Sequence, residues 1–366
     1  MHKVTFFPIG NADSFLVETA NGKRILFDYA HWRTGEDESD RRIDLSSALP
    51  SALGDVRTLD VVAFTHADRD HVSGAKDFFF FDHDPALQAE KRVRMSRLWV
   101  PAKFVLEPTA DLCEDAQVIR KEARWRLRQG QGVRVFSQPK LLRRWLDQSG
   151  IAVTDNLVSD AGTVVPDFNL ATDGIEFFVH SPFAEWMGSD LVERNENALV
   201  LQATFESSGV KTHAIFPADV AYEKLAAIVK ATKLHGKEGR LAWDLIKIPH
   251  HSSWKSLSSA PGVTETTPDP DVAWLYEQHG LNAKLISTSD PIPTADTVQP
   301  PHRQAAAYYR SVARRSGGEF RVTMEHPTQN NPELLVVEID NRGATIVKRD
   351  YRPSIAAVQR PAPRVG

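Results

Sequence analysis

Thr65-His66-Ala67-Asp68-Arg69-Asp70-His71 places four potential metal ligands, His66, Asp68, Asp70 and His71, within six consecutive positions. The run before it, Leu-Asp-Val-Val-Ala-Phe at 59–64, reads as a strand. The cluster therefore falls on the loop at a strand's end, where side chains can converge on one point without helical spacing intervening. Divalent cations need deprotonated oxygen or neutral imidazole donors, and a mixed His/Asp set suits zinc, manganese or iron. A solvated acidic loop with incidental histidines is the competing reading of an isolated cluster, so ligands elsewhere in the chain decide between the two.

Two more loops supply them. Phe216-Pro217-Ala218-Asp219 and Ile248-Pro249-His250-His251-Ser252-Ser253 each follow a strand-type run, at 211–216 and 245–248. Taken alone, Asp219 also reads as the N-cap of a helix over 220–233, and His250 with His251 as an ordinary turn pair. Further strand signals stand at 4–7, 14–17 and 24–27, with Asn21-Gly22 as a hairpin turn between the last two. They return at 174–179, 198–205, 284–287, 320–324, 334–339 and 344–348, with a second helix at 302–315. From 85 to 165 the strand signal fades, the composition turns basic and helical spacing appears at 111–128, which predicts a helical basic insertion. Residues 351–366 hold three prolines and three arginines with little to bury, so one domain over 1–350 with a disordered tail is expected.

The order of these motifs resembles the metallo-β-lactamase superfamily, and within it the catalytic domain of ComEC-type DNA-uptake proteins, over most of the chain. Ile9-Gly10-Asn11-Ala12-Asp13-Ser14 and Asn21-Gly22-Lys23-Arg24-Ile25-Leu26-Phe27-Asp28 resemble that family's opening hairpin, whose second strand ends in an aspartate beside the site. Thr65 to His71 is similar to the His-x-His-x-Asp-His loop, with Asp68 in place of the second histidine. Asn195-Glu196-Asn197-Ala198-Leu199-Val200-Leu201 resembles an Asn-rich strand entry, Phe216 to Asp219 a Gly-Asp motif, and Lys247 to Ser253 the Lys-x-Pro-His-His-Gly-Ser motif. Ser73, Ala218 and Ser252 stand where the family has glycine. The superfamily's intermediate histidine has no counterpart, since the region near Asn195 and Asn197 offers only amides, which leaves the first metal a ligand short.

The resemblance implies an α/β fold of the metallo-β-lactamase αββα type, two mixed sheets flanked by helices. It also implies two divalent ions, manganese or zinc. His66 and Asp68 would hold one, Asp70, His71 and His250 the other, and Asp219 would bridge them, with Asp70 orienting the attacking water. His251 is left to contact substrate or protonate a leaving group, or to stand behind the ligands as a hydrogen-bonded support. Lys247, Asn197 and His302 are the candidate substrate contacts, His302 because ComEC-type chains carry a histidine-proline-histidine run before their last helix. The carboxylate-rich ligand set tilts the metal toward manganese without excluding zinc.

The composition bounds what such a site can serve. The 366 residues are 42% hydrophobic and 25% charged with a formal net charge of -4, which gives no whole-molecule field for nucleic acid. A local patch exists: between Arg120 and Arg144 stand Arg120, Lys121, Arg124, Arg126, Arg128, Arg134, Lys140, Arg143 and Arg144 against the single acid Glu122, with Trp125 and Trp145 among them. Basic residues interleaved with aromatics are a way of holding single-stranded nucleic acid; a solvated helix face with inward tryptophans is the alternative. The expected activity is metal-dependent hydrolysis of phosphodiesters, as by a nuclease. The alternatives are hydrolysis of a small ester, lactone or thioester, or a metal-poor binding or regulatory module. The lone Cys113 excludes an internal disulfide, no window is apolar enough to span a membrane and no signal peptide opens the chain, so a cytoplasmic setting is expected.

Overall fold

The computed structural model describes residues 1–33, 35, 37, 39–137, 140–182 and 197–348. Strands β1 (His2–Phe6), β2 (Phe15–Glu18) and β3 (Arg24–Phe27) form an antiparallel meander. Gly22, at φ 87°, turns the second hairpin, a conformation that glycine adopts without steric cost. From β3 the chain passes through α1 (Leu45–Leu53) to β4 (Thr58–Ala63), which pairs with β3 in parallel. Next come α2 (Arg69–Val72), α3 (Ala75–Phe78), β5 (Arg94–Pro101), α4 (Ala102–Leu106), α5 (Glu114–Gln129), β6 (Val133–Phe136), α6 (Lys140–Gln148) and β7 (Val158–Ser159). The strands β5, β6 and β7 extend the same sheet in parallel beyond β4.

A second sheet begins after α7 (Leu170–Asp173). Its strands β8 (Ile175–Ser181), β9 (Val200–Ser207) and β10 (Val210–Phe216) run antiparallel. Beyond them α8 (Tyr222–Leu234), β11 (Trp243–Lys247), α9 (Pro270–Tyr276), β12 (His279–Ser287), α10 (Arg303–Ser316) and β13 (Glu319–Val322) continue the sheet through parallel pairings. After a small hairpin, β14 (Pro327–Thr328) with β15 (Asn331–Pro332), the chain returns to the first sheet as β16 (Leu335–Asp340) and β17 (Gly343–Ile346). There β16 lies antiparallel to β1, with His2 opposite Ile339. Among the described residues the two large sheets have nine and six strands, and each is mixed.

Alternation along the strands sorts the core into layers. Ile25, Phe27, Val61 and Ala63 of the first sheet meet Phe177, Leu201, Leu245 and Ile286 of the second in one apolar cluster between the sheets. Leu26 and Val62 point the other way, beneath Leu45 and Leu49 of α1 and Ile119 and Ala123 of α5. Ile246 and Leu285 likewise turn outward beneath α8, α9 and α10, through Leu225, Val272 and Tyr309. The layers are therefore helix, sheet, sheet, helix.

The stretch 85–165 differs from its expectation as a helical insertion. It carries α4, α5 and α6, but it also supplies three strands to the nine-stranded sheet. The sequence pattern hides β6 because its four buried residues, Val-Arg-Val-Phe, include an arginine. Arg134 is 1% exposed, and its Nε and Nη2 donate to Asp167 at 2.7 and 2.6 Å, which pairs the buried guanidinium with a carboxylate. The expected tail at 351–366 and the motif residues Asn195 and Glu196 lie outside the described residues. Among the described residues no helix is long and apolar enough to cross a membrane.

Candidate metal centre

The loops that follow β3, β4, β10, β11 and β12 meet at the carboxyl ends of these strands, where open α/β sheets place their ligands. Asp28, directly after β3, adopts a left-handed φ of 54°, which a short polar side chain tolerates. Its Oδ1 accepts the Thr65 N–H at 2.7 Å, and its Oδ2 accepts the Thr65 hydroxyl at 2.7 Å and His71 Nδ1 at 2.8 Å. A carboxylate accepts only, so Nδ1 of His71 carries a proton and Nε2 is the nitrogen left for an ion. That Nε2 is buried without a well-formed hydrogen bond; Asp219 Oδ2 stands 3.4 Å away and Asp70 Oδ2 3.9 Å.

The loop after β11 does the same for a second imidazole. His250, His251 and Ser252 take φ values of 49°, 52° and 62°, three left-handed residues in succession without a glycine. This turn swings His251 inward. Its Nδ1 donates to the Thr288 carbonyl at 2.6 Å, and its Nε2 faces Asp219 Oδ2 at 3.0 Å and Asp70 Oδ2 at 3.3 Å. Asp70, His71, Asp219 and His251 thus each offer one ligand atom, all within 4.8 Å of one another.

Here the structure departs from the sequence reading, which set His250 among the ligands and His251 outside them. An extended loop would show the first histidine to the site; the left-handed turn shows the second. His250 donates its backbone N–H to Asp219 Oδ1 at 3.1 Å, and its Nδ1 is buried without a hydrogen bond. Lys247 departs too. Expected at a substrate phosphate, it is 1% exposed, forms a close ion pair with Asp13 and lies 3.6 Å from Asp219 Oδ1. Burial disfavours its charge, but Asp13 and Asp219 outweigh that cost and raise its pKa. The sequence reading did not single out Asp13 as a site residue. It also accepts from the Thr288 hydroxyl and, with Asp28 and His71, makes a second close group of possible ligand atoms. Its one signal was its place in the Asn11-Ala12-Asp13-Ser14 turn.

His66 is 3% exposed and tilted over His71, ring centroids 3.7 Å apart, with its Nε2 3.7 Å from Asp68 Oδ2. Asp68 and Asp70 keep 32% and 25% of their side chains exposed and form the open side of the site. Asn197 shares a small cavity with His66, Lys103 and Glu107, and its amide nitrogen is buried without a hydrogen bond. His302 braces the left-handed turn. It is 4% exposed, its backbone N–H donates to the Ser252 carbonyl at 3.1 Å, and its Nδ1 accepts from the Trp254 N–H at 3.4 Å.

The electrostatics test whether a cation fits. Burial opposes charge on His71, yet Asp28, Asp219 and Asp70 push its pKa well above the ordinary value. Burial likewise opposes charge on His251, which Asp219 and Asp70 nevertheless lift to about 10. Asp70 and Asp219 shift down: burial opposes this, and the facing histidines, with Lys247 beside Asp219, outweigh it. The four side chains therefore attract two positive charges into one buried spot. A divalent cation supplies both and uses all four inward donors, a set of two imidazoles and two carboxylates that zinc and manganese each accept.

The basic stripe is divided between interior and surface. Arg126 is 3% exposed and bonds Glu122 at 2.6 Å and Asp82 at 2.9 Å, while Arg134 serves Asp167. Arg124 donates to the Val105 carbonyl at 2.9 Å, and Trp145 packs on the core beneath Arg124 and Arg128. Lys121, Arg128, Lys140, Arg143 and Arg144 remain exposed. The expected alternation of cations with open aromatic faces is therefore not formed by Trp145.

No family model matches the chain, and no curated protein matches it. Among solved structures, unliganded yeast PDE1 aligns over 88% of this chain and 96% of its own, at 11% sequence identity and a TM-score of 0.42. A likeness that distant carries no argument about fold or chemistry.

Proposed function

We propose that the chain is a metal-dependent hydrolase of the metallo-β-lactamase type that cleaves phosphodiesters, most directly those of nucleic acid. The observation that carries this reading is the group Asp70, His71, Asp219 and His251, with the Nε2 atoms of both imidazoles turned toward two carboxylates. Manganese or zinc ions would be held there and beside His66 and Asp68. When bound, such ions make water nucleophilic near neutral pH and neutralise charge developing at the attacked centre. The chain's own part is orientation. Asp28 and the Thr288 carbonyl fix the two imidazoles, Lys247 and the His250 N–H hold Asp219, and Asp70 stands at the open side, where it orients the attacking water. His251 takes a ligand's place, which removes it as acid for the leaving group. Lys121, Arg128, Lys140, Arg143 and Arg144 on α5 and α6 are the cations left to steer a polyanion.

The test is hydrolysis of single-stranded DNA, RNA, a generic aryl phosphodiester and a lactone with manganese or zinc added, beside a protein carrying Asp70→Ala and His71→Ala. Cleavage of the phosphodiesters that the double substitution abolishes is expected. Activity on the lactone alone, or equal activity in the control, would overturn the reading.

A further inference from the structure

We propose that a cavity between β8 and the end of α8, apart from the metal centre, binds a small aromatic carboxylate, with its ring against Phe178 and His180 and its carboxylate on Lys237. The inference does not rest on the hydrolase reading. Asp219 precedes α8 and the cavity lies at the last turn, so most of the helix, about 15 Å, stands between them.

The cavity exists because α8 stops filling the space over β8. Phe177 and Val179 point between the sheets, so Phe178 and His180 face the helix. Along α8 the buried stripe runs through Leu225, Ile228 and Val229 and then shrinks to Thr232, with Ala231 beside it. Thr232 donates its hydroxyl to the Ile228 carbonyl at 2.7 Å, which leaves its methyl group as its free surface. The far wall is the backbone at Gly162, laid along the edge of β8, where the Gly162 N–H donates to the Val179 carbonyl at 2.8 Å. The space measures about 180 Å³. An apolar cavity of about 150 Å³ holds benzene, so this one takes a single ring with one small substituent.

The lining selects the substituent. Phe178 and His180 are 4% and 3% exposed and meet edge to face, ring centroids 5.0 Å apart. Burial lowers the His180 pKa to about 4, so both rings are uncharged surface near neutral pH. Of the residues that line the cavity, Lys237 is the one with a permanent charge. It reaches from beyond α8 to donate to the Gly162 carbonyl at 2.8 Å, with its Nζ 5.6 Å from the centre of the Phe178 ring. An ammonium has three donors, and among the described residues Lys237 has no carboxylate partner. The neighbouring Arg240, 5.0 Å from the same ring, is by contrast paired with Glu176 at 2.6 Å. An apolar slot with one unpaired cation matches a flat apolar body that carries one negative charge.

Calorimetric titration of chelator-treated protein with benzoate, benzyl alcohol and benzylamine tests this, the chelator keeping the carboxylate from any bound metal. Expected are one saturable benzoate site per chain with a dissociation constant of about 1 mM or below, benzyl alcohol at least about tenfold weaker, and benzylamine weaker again. Lys237→Met keeps an apolar stem and removes the charge; it should weaken benzoate at least about tenfold and leave benzyl alcohol unchanged. Ala231→Leu fills the cavity and should abolish binding of all three probes. No saturable benzoate binding up to about 20 mM, benzoate binding indifferent to both substitutions, or benzylamine bound as tightly as benzoate would each overturn the proposal. Should Ala231→Leu fail to fold, Lys237→Met, at an exposed position, decides alone.

Discussion

Asp28 joins three separate pieces of chain with one carboxylate. It ends β3, accepts both donors of Thr65 after β4, and sets the tautomer of His71 in α2. Asn at this position keeps the size but turns one acceptor into a donor, which cannot face both the Thr65 hydroxyl and a protonated Nδ1. Asp28→Asn is expected to weaken manganese binding about 10- to 100-fold and to lower the stability of metal-free protein by about 1–3 kcal/mol. Metal titration and urea unfolding check it, and unchanged affinity would refute the orienting role. His180 offers a pH test away from the centre. Burial holds its pKa near 4, and its Nε2 bonds the Arg240 carbonyl at 2.8 Å. Between an unfolded value of 6.5 and about 4, the unfolded chain takes up a proton that the native chain refuses. Stability should therefore be full above about pH 6.5 and fall by up to about 3 kcal/mol as the pH drops toward 4. His180→Gln keeps a donor and should remove that part of the slope; identical pH profiles for the two proteins would contradict the assignment.

The turn at 250–252 shows what an element can conceal from its sequence. Strand β11 and the loop after it were both legible, because an apolar run ending in Pro-His-His reads as a strand and its turn. Which histidine faces inward was not, since it depends on three left-handed residues that no glycine announces. Ser252, at φ 62°, also bonds Ser287 through its hydroxyl at 2.8 Å. Ser252→Gly relieves about 1 kcal/mol of backbone strain and loses a hydrogen bond worth about the same, so stability should hold within about 1 kcal/mol. Ser252→Ala loses the bond and keeps the strain, and should cost about 1–2 kcal/mol. Thermal unfolding of both variants decides it: an alanine variant more stable than the glycine one would mean that the turn is not strained. Strands β5 to β7 were missed for another reason. Arg134 satisfies its charge through Asp167, 33 positions away, and a local pattern has no means of registering that partner.

In the molecule as a whole, two sheets with helices outside were implied by the resemblance of the loop motifs rather than by strand periodicity, and the observed layers follow because each strand must bury one face against the other sheet or a helix. The loops then bring together ligands from both sheets. His71 follows β4 of the first, while Asp219 and His251 follow β10 and β11 of the second. An ion held in that group would tie the sheets together and would bind the folded chain alone. Manganese at about 100 times its dissociation constant should therefore stabilise the protein by about 2.7 kcal/mol. The midpoint of thermal unfolding should rise with the ion, return on chelation, and stay fixed in His71→Ala; a rise of equal size in that variant would locate the ion elsewhere.

The pairing of β1 with β16 sets His2 beside Ile339. On the ribosome, β1 must wait for more than three hundred further residues before its outer neighbour β16 exists. At about 5–20 residues per second, that is a delay on the order of tens of seconds. Throughout it, the open edge of β1, carrying Val4 and Phe6, is available to any passing strand. The return of the chain as β16 is thus also the step that covers this edge of β1.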